Sequence, residues 1–513
     1  MNHPKETENR ICEELTFGTA GIRGKVGEGK DCINRYTIQK ATQAFADYLK
    51  QRKDDLSLGL TVVIAYDSRL NSKEFAEDTA SVFAGNGFLV YLFDSVCPTP
   101  ELSFAVRNLK AIGGVMITAS HNPPEYNGYK VYGHDGCQLV PEESDKISGL
   151  YHTVDKIDSI PITHCLDIDI VKYVPVSVHH EYLALIKSVS LRPELFRDSL
   201  VKAVYTPLHG VGGSIVKKVF QSVGYEKAVY VDSQFEPDGN FPTISTPNPE
   251  SVDAYAEGKK YMRRAGADLI IATDPDCDRM GIMLRNGKLL TGNQVAALFL
   301  DYILSARKER GQIREGDYVV SSVVSCDLPK KIAESYGVKY IQVLTGFKYI
   351  GREIEKDPEH FIMGFEESCG YLFSPEVRDK DGVMASLLAL EMSIYRNKNL
   401  EHVIRKYHRM FGTYLDVTDS LTFDHVDDIA KKMEIVRHAD FDGAVKCDYL
   451  FADTGLPKTD LVKFHFAEGG WVAFRPSGTE PKLKVYYCVN APLQADADKK
   501  LQDLRDRVRV LLG

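Results

Sequence analysis

The sequence lacks several features that would point to particular classes of protein. No two of its ten cysteines are spaced as Cys-X-X-Cys, so neither a zinc site nor a disulfide framework is expected. No stretch approaches 18 uninterrupted apolar residues, and no membrane partner is therefore expected. Residues 1–14 are polar and charged without an apolar signal segment, which favours a reducing, cytoplasmic location.

An excess of positive charge is also missing. The formal net charge is -9, so no broad basic surface is available and nucleic acid is not an expected partner. Hydrophobic residues make up 44% of the chain and charged residues 26%, which excludes the composition of a disordered protein. A chain of this length predicts about three to five domains.

Strand and helix patterns alternate through most of the chain. This alternation predicts βαβ units with mostly parallel sheets, and it restarts near Leu200 and near Gly292. After about Thr413 the pattern changes to an α+β arrangement. We therefore predict three tandem α/β domains with mostly parallel mixed sheets and a smaller C-terminal α+β domain, covering residues 1–177, 178–292, 293–411 and 412–513.

A serine lies in a loop directly after a predicted strand, where parallel α/β sheets place their ligands. Within this loop, Ser120 is followed by prolines that stiffen the chain, and Asn127-Gly128 predicts a turn with a positive φ that brings Lys130 back toward the serine. Lys130 or a divalent cation can then stabilise the serine alkoxide or a phosphate attached to it. An ordinary Asn-Gly turn with a capping serine is the alternative. His121 is not expected to pair with Ser120, because adjacent side chains in an extended segment point to opposite sides.

Three aspartates alternate after the predicted strand Leu269 to Ala272. In an extended arc Asp274, Asp276 and Asp278 share one face and converge on one cation, for which Mg²⁺ is favoured. An EF-hand is excluded because the sequence has Arg279 at the required glycine position. A solvated acidic turn is the alternative.

Two further loops carry polar groups suited to a phosphorylated sugar. Glu366 and Ser368 can hydrogen-bond sugar hydroxyls, although a helix N-terminus rich in glutamate explains them almost as well. A second loop resembles a phosphate cradle, with a plain turn as the alternative; its residues are Arg475, Ser477, Gly478 and Thr479.

Together with the segment Phe17-Gly18-Thr19-Ala20-Gly21-Ile22-Arg23-Gly24, these loops resemble the α-D-phosphohexomutase superfamily, in the same order along the chain. The resemblance implies four domains around one central cleft and an enzyme that interconverts α-D-glucose 1-phosphate and glucose 6-phosphate. It implies Mg²⁺, a phosphoserine, and glucose 1,6-bisphosphate as intermediate and activator. Its partners would be small phosphosugars, and the protein would be a monomer or small homo-oligomer.

The resemblance also assigns roles to individual residues. Ser120 is implied as the phosphoserine, whose oxygen joins Asp274, Asp276 and Asp278 as a metal ligand. The implied catalytic residues are Arg23 and Lys130, with Lys380 as a further residue of the cleft. His121, the neighbour of the serine, is a further catalytic candidate. The implied substrate-binding residues are Thr19, Arg279, Thr345, Gly346, Lys348, Glu366, Ser368, Arg475, Ser477, Gly478 and Thr479.

The sequence departs from relatives at two places. Cys369 and Gly370 follow the sugar-loop serine where some relatives have a histidine, so no acid or base is assigned there. Pro275 and Cys277 occupy positions where many relatives have glycine. Mannose or pentose phosphates, a bisphosphate synthase and a non-catalytic sugar-phosphate sensor stay open as alternatives.

Overall fold

The computed structural model describes residues 15, 17–18, 21–397, 399–423, 426–441, 443–477 and 482–513. These residues form four sheets in succession along the chain, of six, four, four and five strands. Each sheet is accompanied by its own helices, and the sheets correspond in order to the four predicted domains.

The first domain has a mixed sheet in which β2 lies between β3 and β4. β2, β3, β4 and β6 run parallel, whereas β5 is antiparallel to both β1 and β4. The strands are β1 (Ile22–Lys25), β2 (Thr61–Tyr66), β3 (Leu89–Leu92), β4 (Gly113–Ile117), β5 (Tyr126–Gly133) and β6 (Val171–Tyr173). The helices are α1 (Arg35–Leu56), α2 (Ser72–Gly85), α3 (Thr99–Asn108), α4 (Pro141–Thr153), α5 (Ile162–Asp167) and α6 (Val176–Ser188).

The second domain is a four-stranded sheet with β7 and β9 at its centre. β7 pairs in parallel with β8 and β9, and β10 returns antiparallel to β9. The strands are β7 (Ala203–Thr206), β8 (Val229–Tyr230), β9 (Leu269–Thr273) and β10 (Met280–Leu284). The helices are α7 (Gly212–Ser222), α8 (Asp232–Phe235) and α9 (Ala256–Ala265), with short 3₁₀ turns at Pro193–Leu195 and Val252–Tyr255.

The third domain repeats this arrangement. β11 pairs in parallel with β12 and β13, and β14 is antiparallel to β13. The strands are β11 (Tyr318–Ser322), β12 (Lys339–Val343), β13 (Phe361–Glu366) and β14 (Gly370–Leu372). The helices are α10 (Gly292–Glu309), α11 (Leu328–Ser335), α12 (Phe347–Lys356), α13 (Gly382–Tyr395) and α14 (Leu400–Phe411). Thr291 and Gln294 start α10 with reciprocal capping hydrogen bonds.

The C-terminal domain contains a five-stranded sheet that is antiparallel throughout. Its strands are β15 (Thr413–Thr422), β16 (Val445–Asp448), β17 (Val462–His465), β18 (Gly470–Pro476) and β19 (Lys482–Ala491). Its helices are α15 (Val426–His438) and α16 (Gln494–Leu512). The predicted phosphate loop connects β18 to β19.

The largest core cluster crosses domain borders and includes Val63, Tyr205, Phe299 and Trp471, one from each domain. Helix α13 lies within it and is mostly apolar, and every residue from Gly382 to Ser393 is buried. The predicted fold class is confirmed, while the domain boundaries stay predictions. No helix among the described residues is long and apolar enough to cross a membrane.

Candidate active site

Ser120 follows β4 and faces the second domain. Its side-chain oxygen donates a hydrogen bond to Asp274 Oδ2 at 2.9 Å, and the residue is 3% exposed. Its backbone has a φ of 51°, a conformation that few residues other than glycine adopt. The backbone N–H donates to the Thr118 hydroxyl at 2.7 Å, so the loop holds Ser120 in this conformation.

The prediction of an Asn-Gly turn is wrong. Asn127 and Gly128 lie inside β5, which pairs with β1 and β4 on its two sides. Glycine is needed at 128 for space, because a Cβ there would lie 2.6 Å from the Thr118 carbonyl oxygen. Lys130 reaches the site because β5 runs antiparallel to β4, which places Lys130 opposite Met116.

The expectation that His121 points away from Ser120 is also wrong. Its Nδ1 lies 3.2 Å from the Ser120 side-chain oxygen, because the positive φ of Ser120 replaces the extended backbone on which the expectation rested. Burial, followed by the positive charges of Arg279 and Arg23, lowers the pKa of His121 well below its usual value. His121 is therefore a neutral imidazole at pH 7.

Arg69, which sequence reasoning missed, holds the serine loop from beneath. Its guanidinium donates at 2.6 Å to the carbonyl oxygen of Ser120 and at 2.9 Å to those of Pro123 and Tyr126, and it also donates to the carbonyl oxygen of Asn122. Only its position in the fold could have pointed to this role. Arg69 follows β2, and β2 lies next to β4, the strand that precedes the serine loop.

The three aspartates converge through a tight turn rather than the extended arc that we expected. The N–H of Cys277 donates to the Asp274 carbonyl at 2.9 Å, and Cys277 has a φ of 54°. Asp274 Oδ1 accepts from the N–H groups of Asp278 at 3.1 Å and Arg279 at 2.9 Å. One oxygen from each aspartate then lies within 4.8 Å of the others.

The buried carboxylates form a site suited to a hard cation. Asp274, Asp276 and Asp278 are each no more than 1% exposed. Burial, then Asp278 and Asp276, raises the pKa of Asp274 well above its usual value. Among the described residues, Oδ1 of Asp276 and Oδ1 of Asp278 are buried without a hydrogen-bond donor. Clustered oxygen ligands with unused lone pairs fit Mg²⁺.

Two lysines partly balance this negative charge. Lys130 Nζ lies 2.7 Å from Asp276 Oδ2, and Lys380 Nζ, from the third domain, lies 3.2 Å from Asp278 Oδ2. Burial opposes the charge of Lys130, but Asp276 and Asp278 outweigh it and raise the pKa of Lys130. Both lysines are therefore held as cations at the carboxylate cluster.

Two arginines flank the same cluster. Arg23 donates to the Asn122 side chain at 3.1 Å, beside the serine loop. Arg279 lies with its Nε 3.8 Å from Asp278 Oδ1 and pairs with Glu250 at 2.7 Å. The structure thus brings predicted residues from the first three domains to one place.

The predicted sugar-binding residues come from adjacent loops of the third domain. Glu366 ends β13, and its Oε1 accepts from the Gly346 N–H at 2.7 Å. Thr345 has a buried hydroxyl without a hydrogen-bond partner among the described atoms. Burial, partly offset by nearby carboxylates, lowers the pKa of Lys348 to about 8. Ser368 is half-buried and lines a cavity of about 370 Å³ together with Glu367 and Cys369.

The C-terminal domain contributes a lysine to this cavity, with an arginine on the neighbouring strand. Arg475 on β18 pairs directly across from Lys484 on β19, and Lys484 lines the cavity with Ser368. Burial opposes the charge of Arg475, but Tyr486 and Glu367 raise its pKa. Like charges placed directly opposite each other are unfavourable unless an anion lies between them.

Sequence reasoning missed Lys484. The alternation of Lys482 and Lys484 directly after the phosphate loop could have indicated two lysines on the same face of a strand. The N–H of Ser477 donates to the Lys482 carbonyl at 2.8 Å at the base of that loop. Thr19, Gly478 and Thr479 lie outside the described residues.

Four family models match the chain in order, all for phosphoglucomutase/phosphomannomutase. Three α/β/α domains, I, II and III, match residues 14–158, 180–287 and 291–410, and the C-terminal domain matches residues 415–509. A phosphoglucomutase of Staphylococcus aureus (strain MRSA252) is 37% identical over 522 aligned positions, covering 95% of this chain and 92% of that protein.

Solved structures share the whole fold. Parafusin, an exocytosis-sensitive phosphoprotein (phosphoglucomutase) from Paramecium in its open form, has a TM-score of 0.77 at 20% identity, covering 98% of this chain and 96% of that one. A phosphoglucomutase/phosphomannomutase family protein from Burkholderia thailandensis has a TM-score of 0.71 at 18% identity, covering 97% of both chains.

Proposed function

The chain belongs to the phosphoglucomutase/phosphomannomutase family, and from this we propose that it interconverts α-D-glucose 1-phosphate and glucose 6-phosphate through a phosphoserine at Ser120. The observation that carries the proposal is the 2.9 Å contact between the Ser120 side-chain oxygen and Asp274. A hydroxyl oxygen from the first domain thus lies against the carboxylate cluster of the second, which supports a nucleophilic role for it.

In the first half of the reaction, phosphorylated Ser120 donates its phosphoryl group to the free hydroxyl of a sugar monophosphate. The bond between phosphorus and the serine oxygen breaks, and a bond to the sugar oxygen forms, which gives glucose 1,6-bisphosphate. The transferring group spreads negative charge over three oxygens, so cations placed beforehand lower the barrier. Arg23 and Lys130 are the protein cations proposed for this purpose.

Asp274, Asp276 and Asp278 would hold Mg²⁺, together with an oxygen of the phosphoserine. When bound, Mg²⁺ would supply positive charge beside the transferring phosphoryl group. Lys380 pairs with Asp278 and with Asp379 Oδ1, each at 3.2 Å, and so orients the third domain against the cluster.

The sugar hydroxyl must lose a proton as the new bond forms. Lys130 is held as a cation by Asp276, which makes it unsuitable as a base. His121 is neutral and lies 3.2 Å from the serine oxygen. We therefore assign to His121 the uptake of the proton from the sugar hydroxyl and its delivery to the serine oxygen as that oxygen leaves phosphorus. In the reverse transfer the serine hydroxyl gives up the proton and the sugar oxygen receives it.

The bisphosphate must then turn so that its original phosphate faces Ser120. Glu366 and Ser368 are proposed to bind the sugar hydroxyls, with Arg279, Thr345, Gly346 and Lys348 around them. Arg475 and Ser477 are proposed to hold whichever phosphate is not being transferred, joined by Thr19, Gly478 and Thr479 on the basis of the family resemblance alone. One cradle serves both orientations of the intermediate.

Intact mass and activity test this proposal together. The purified protein should contain a species heavier by one phosphoryl group, and Ser120→Ala should remove both that species and turnover. Coupled assays with glucose, mannose and ribose 1-phosphates should give the highest kcat/KM with glucose. Conversion of an external high-energy phosphoryl donor into bisphosphate without isomerisation would identify a synthase instead.

Two results would overturn the assignment. Full turnover by Ser120→Ala would exclude the phosphoserine route. A higher kcat/KM for mannose or ribose 1-phosphate would keep the chemistry but reject glucose as the substrate.

A further inference from the structure

Arg69 is a buried cation that makes no direct contact in the phosphoryl transfer proposed above. Its side chain is completely buried, and its guanidinium donates to four backbone carbonyls of the serine loop, those of residues 120, 122, 123 and 126. A planar fork of donors can bind several carbonyls at fixed angles, whereas the single ammonium of lysine cannot. The loop is therefore shaped around one guanidinium.

The contacted loop contains a strained residue. Ser120 has a φ of 51°, and for a residue other than glycine such a conformation persists only where the surroundings fix it. The carbonyl of Ser120 itself accepts from Arg69 at 2.6 Å. Arg69 thus fixes the peptide group that decides where the serine oxygen points.

Asp67 contacts both Arg69 and the residue two positions before Ser120. Its Oδ2 lies 3.6 Å from Arg69 Nε and accepts from the Thr118 hydroxyl at 2.6 Å. The Thr118 hydroxyl in turn accepts from the Ser120 N–H at 2.7 Å. The N–H and the C=O of Ser120 are therefore both tied, directly or through Thr118, to the Asp67–Arg69 pair.

The second domain closes over the guanidinium. The ring centroid of Phe241 lies 5.1 Å from the central carbon of the Arg69 guanidinium, within the range of a cation–π contact. Nearby, a Cβ on Gly239 would lie 2.4 Å from the Leu70 backbone nitrogen, so the two segments pack tightly. The domain that carries the three aspartates thus also contacts Arg69, the residue that fixes the Ser120 peptide group.

We propose that Arg69 is a positioning residue that aligns the Ser120 oxygen with the carboxylate cluster of the second domain and thereby sets the rate of phosphoryl transfer. The inference rests on the proposed function, because it assigns Arg69 a role in that reaction. Arg69 acts through the loop backbone, so its loss should lower kcat while substrate affinity, which is proposed to come from residues outside this loop, changes little.

The test compares Arg69→Lys with wild type and with Arg192→Lys. Arg192 is another buried arginine, 7% exposed, which stacks on Tyr395 and pairs with Glu309. Misplacing a reacting group by about 1 Å costs up to about 100-fold in rate, so Arg69→Lys should lower kcat by roughly 10- to 100-fold with a small change in KM. Arg192→Lys should lose thermal stability but keep kcat.

Labelled phosphoenzyme supplies a readout that a purely structural role would not change. At a temperature where all proteins are folded, Arg69→Lys should transfer a smaller fraction of its phosphoryl groups to glucose 1-phosphate and lose a larger fraction to water. If Arg69→Lys and wild type have the same kcat and divide the phosphoryl group between sugar and water in the same ratio, this inference is overturned while the proposed function still holds. Absence of phosphoserine and turnover in wild type would overturn the proposed function and this inference with it.

If Arg69→Lys does not fold, Phe241→Leu decides the question. This change removes the stacked ring while keeping an apolar side chain, and the loss of a cation–π contact corresponds to roughly a two- to tenfold fall in kcat. A kcat equal to that of wild type in folded Phe241→Leu would overturn the inference.

Discussion

Replacing Asp274 by asparagine should have opposite effects with and without metal. Asparagine keeps an oxygen that can accept from the N–H groups of Asp278 and Arg279, which Asp274 Oδ1 contacts at 3.1 and 2.9 Å. It removes one of three buried carboxylates. We therefore expect Asp274→Asn to stabilise the metal-free protein and to weaken its stabilisation by Mg²⁺.

The spacing of the carboxylates sets the size of the effect. The ligand oxygens lie within 4.8 Å of one another, and two unit charges at this distance repel by about 3.5 kcal/mol at an effective dielectric constant of about 20. Lys130 and Lys380 offset part of the total charge, so we expect a gain of about 3 kcal/mol at neutral pH.

The gain should depend on pH in a defined direction. The pKa of Asp274 is raised in the folded protein by burial and by Asp278 and Asp276. A raised carboxyl pKa favours the folded protein at low pH and destabilises it as pH rises above the unfolded value of about 4. The stability difference between Asp274→Asn and wild type should therefore be small at pH 4 and grow as pH rises.

Thermal denaturation with EDTA and with Mg²⁺ measures both effects. Asp274→Asn should melt above wild type in EDTA and gain less from Mg²⁺. The control is Asp503→Asn, which removes one exposed carboxylate on α16 and should leave both values near those of wild type. A lower melting temperature in EDTA, with an unchanged response to Mg²⁺, would refute the reasoning.

Three further predictions test other parts of the account. Ser120→Gly and Ser120→Ala should both lose phosphorylation. The glycine variant should be more stable than the alanine variant by about 1 kcal/mol in thermal denaturation, because position 120 has a φ of 51°. Equal stability of the two variants would contradict this. Burial lowers the pKa of Lys348 to about 8, so its charge is lost above that pH and the wild-type KM should rise there, whereas Lys348→Arg should show a flat profile. Gly212→Ala should destabilise the protein by about 1–3 kcal/mol, since its Cβ would lie 2.4 Å from the Tyr205 hydroxyl, while Gly149→Ala, with open space around it, should be neutral or stabilising.

The regular elements and the order of the four loops were readable from the sequence. The sequence pattern located β9, β13 and α13, because buried parallel strands and a buried helix carry apolar runs. The loops that follow β4, β9 and β13 could be chosen because ligands bind at the carboxyl ends of parallel strands.

Local backbone geometry was not readable. Asn127-Gly128 has a strong turn preference, but pairing with β1, where these residues lie opposite Gly24 and Arg23, overrides it. Ser120 and Cys277 adopt positive φ angles that neither residue type suggests, and these angles bring His121 to the serine and the aspartates to one another. Arg69 has no motif of its own, since its role depends on which strands become neighbours.

Transfer of a labelled phosphoryl group tests the central claim most directly. Phosphoenzyme labelled at Ser120 would be mixed with one equivalent of unlabelled glucose 1-phosphate in the presence of Mg²⁺, and the label would be followed in a single turnover. The account predicts that the label leaves the peptide containing Ser120 and appears first in glucose 1,6-bisphosphate. Isomerisation that proceeds while the label stays on the protein, or passes only to inorganic phosphate, would contradict it.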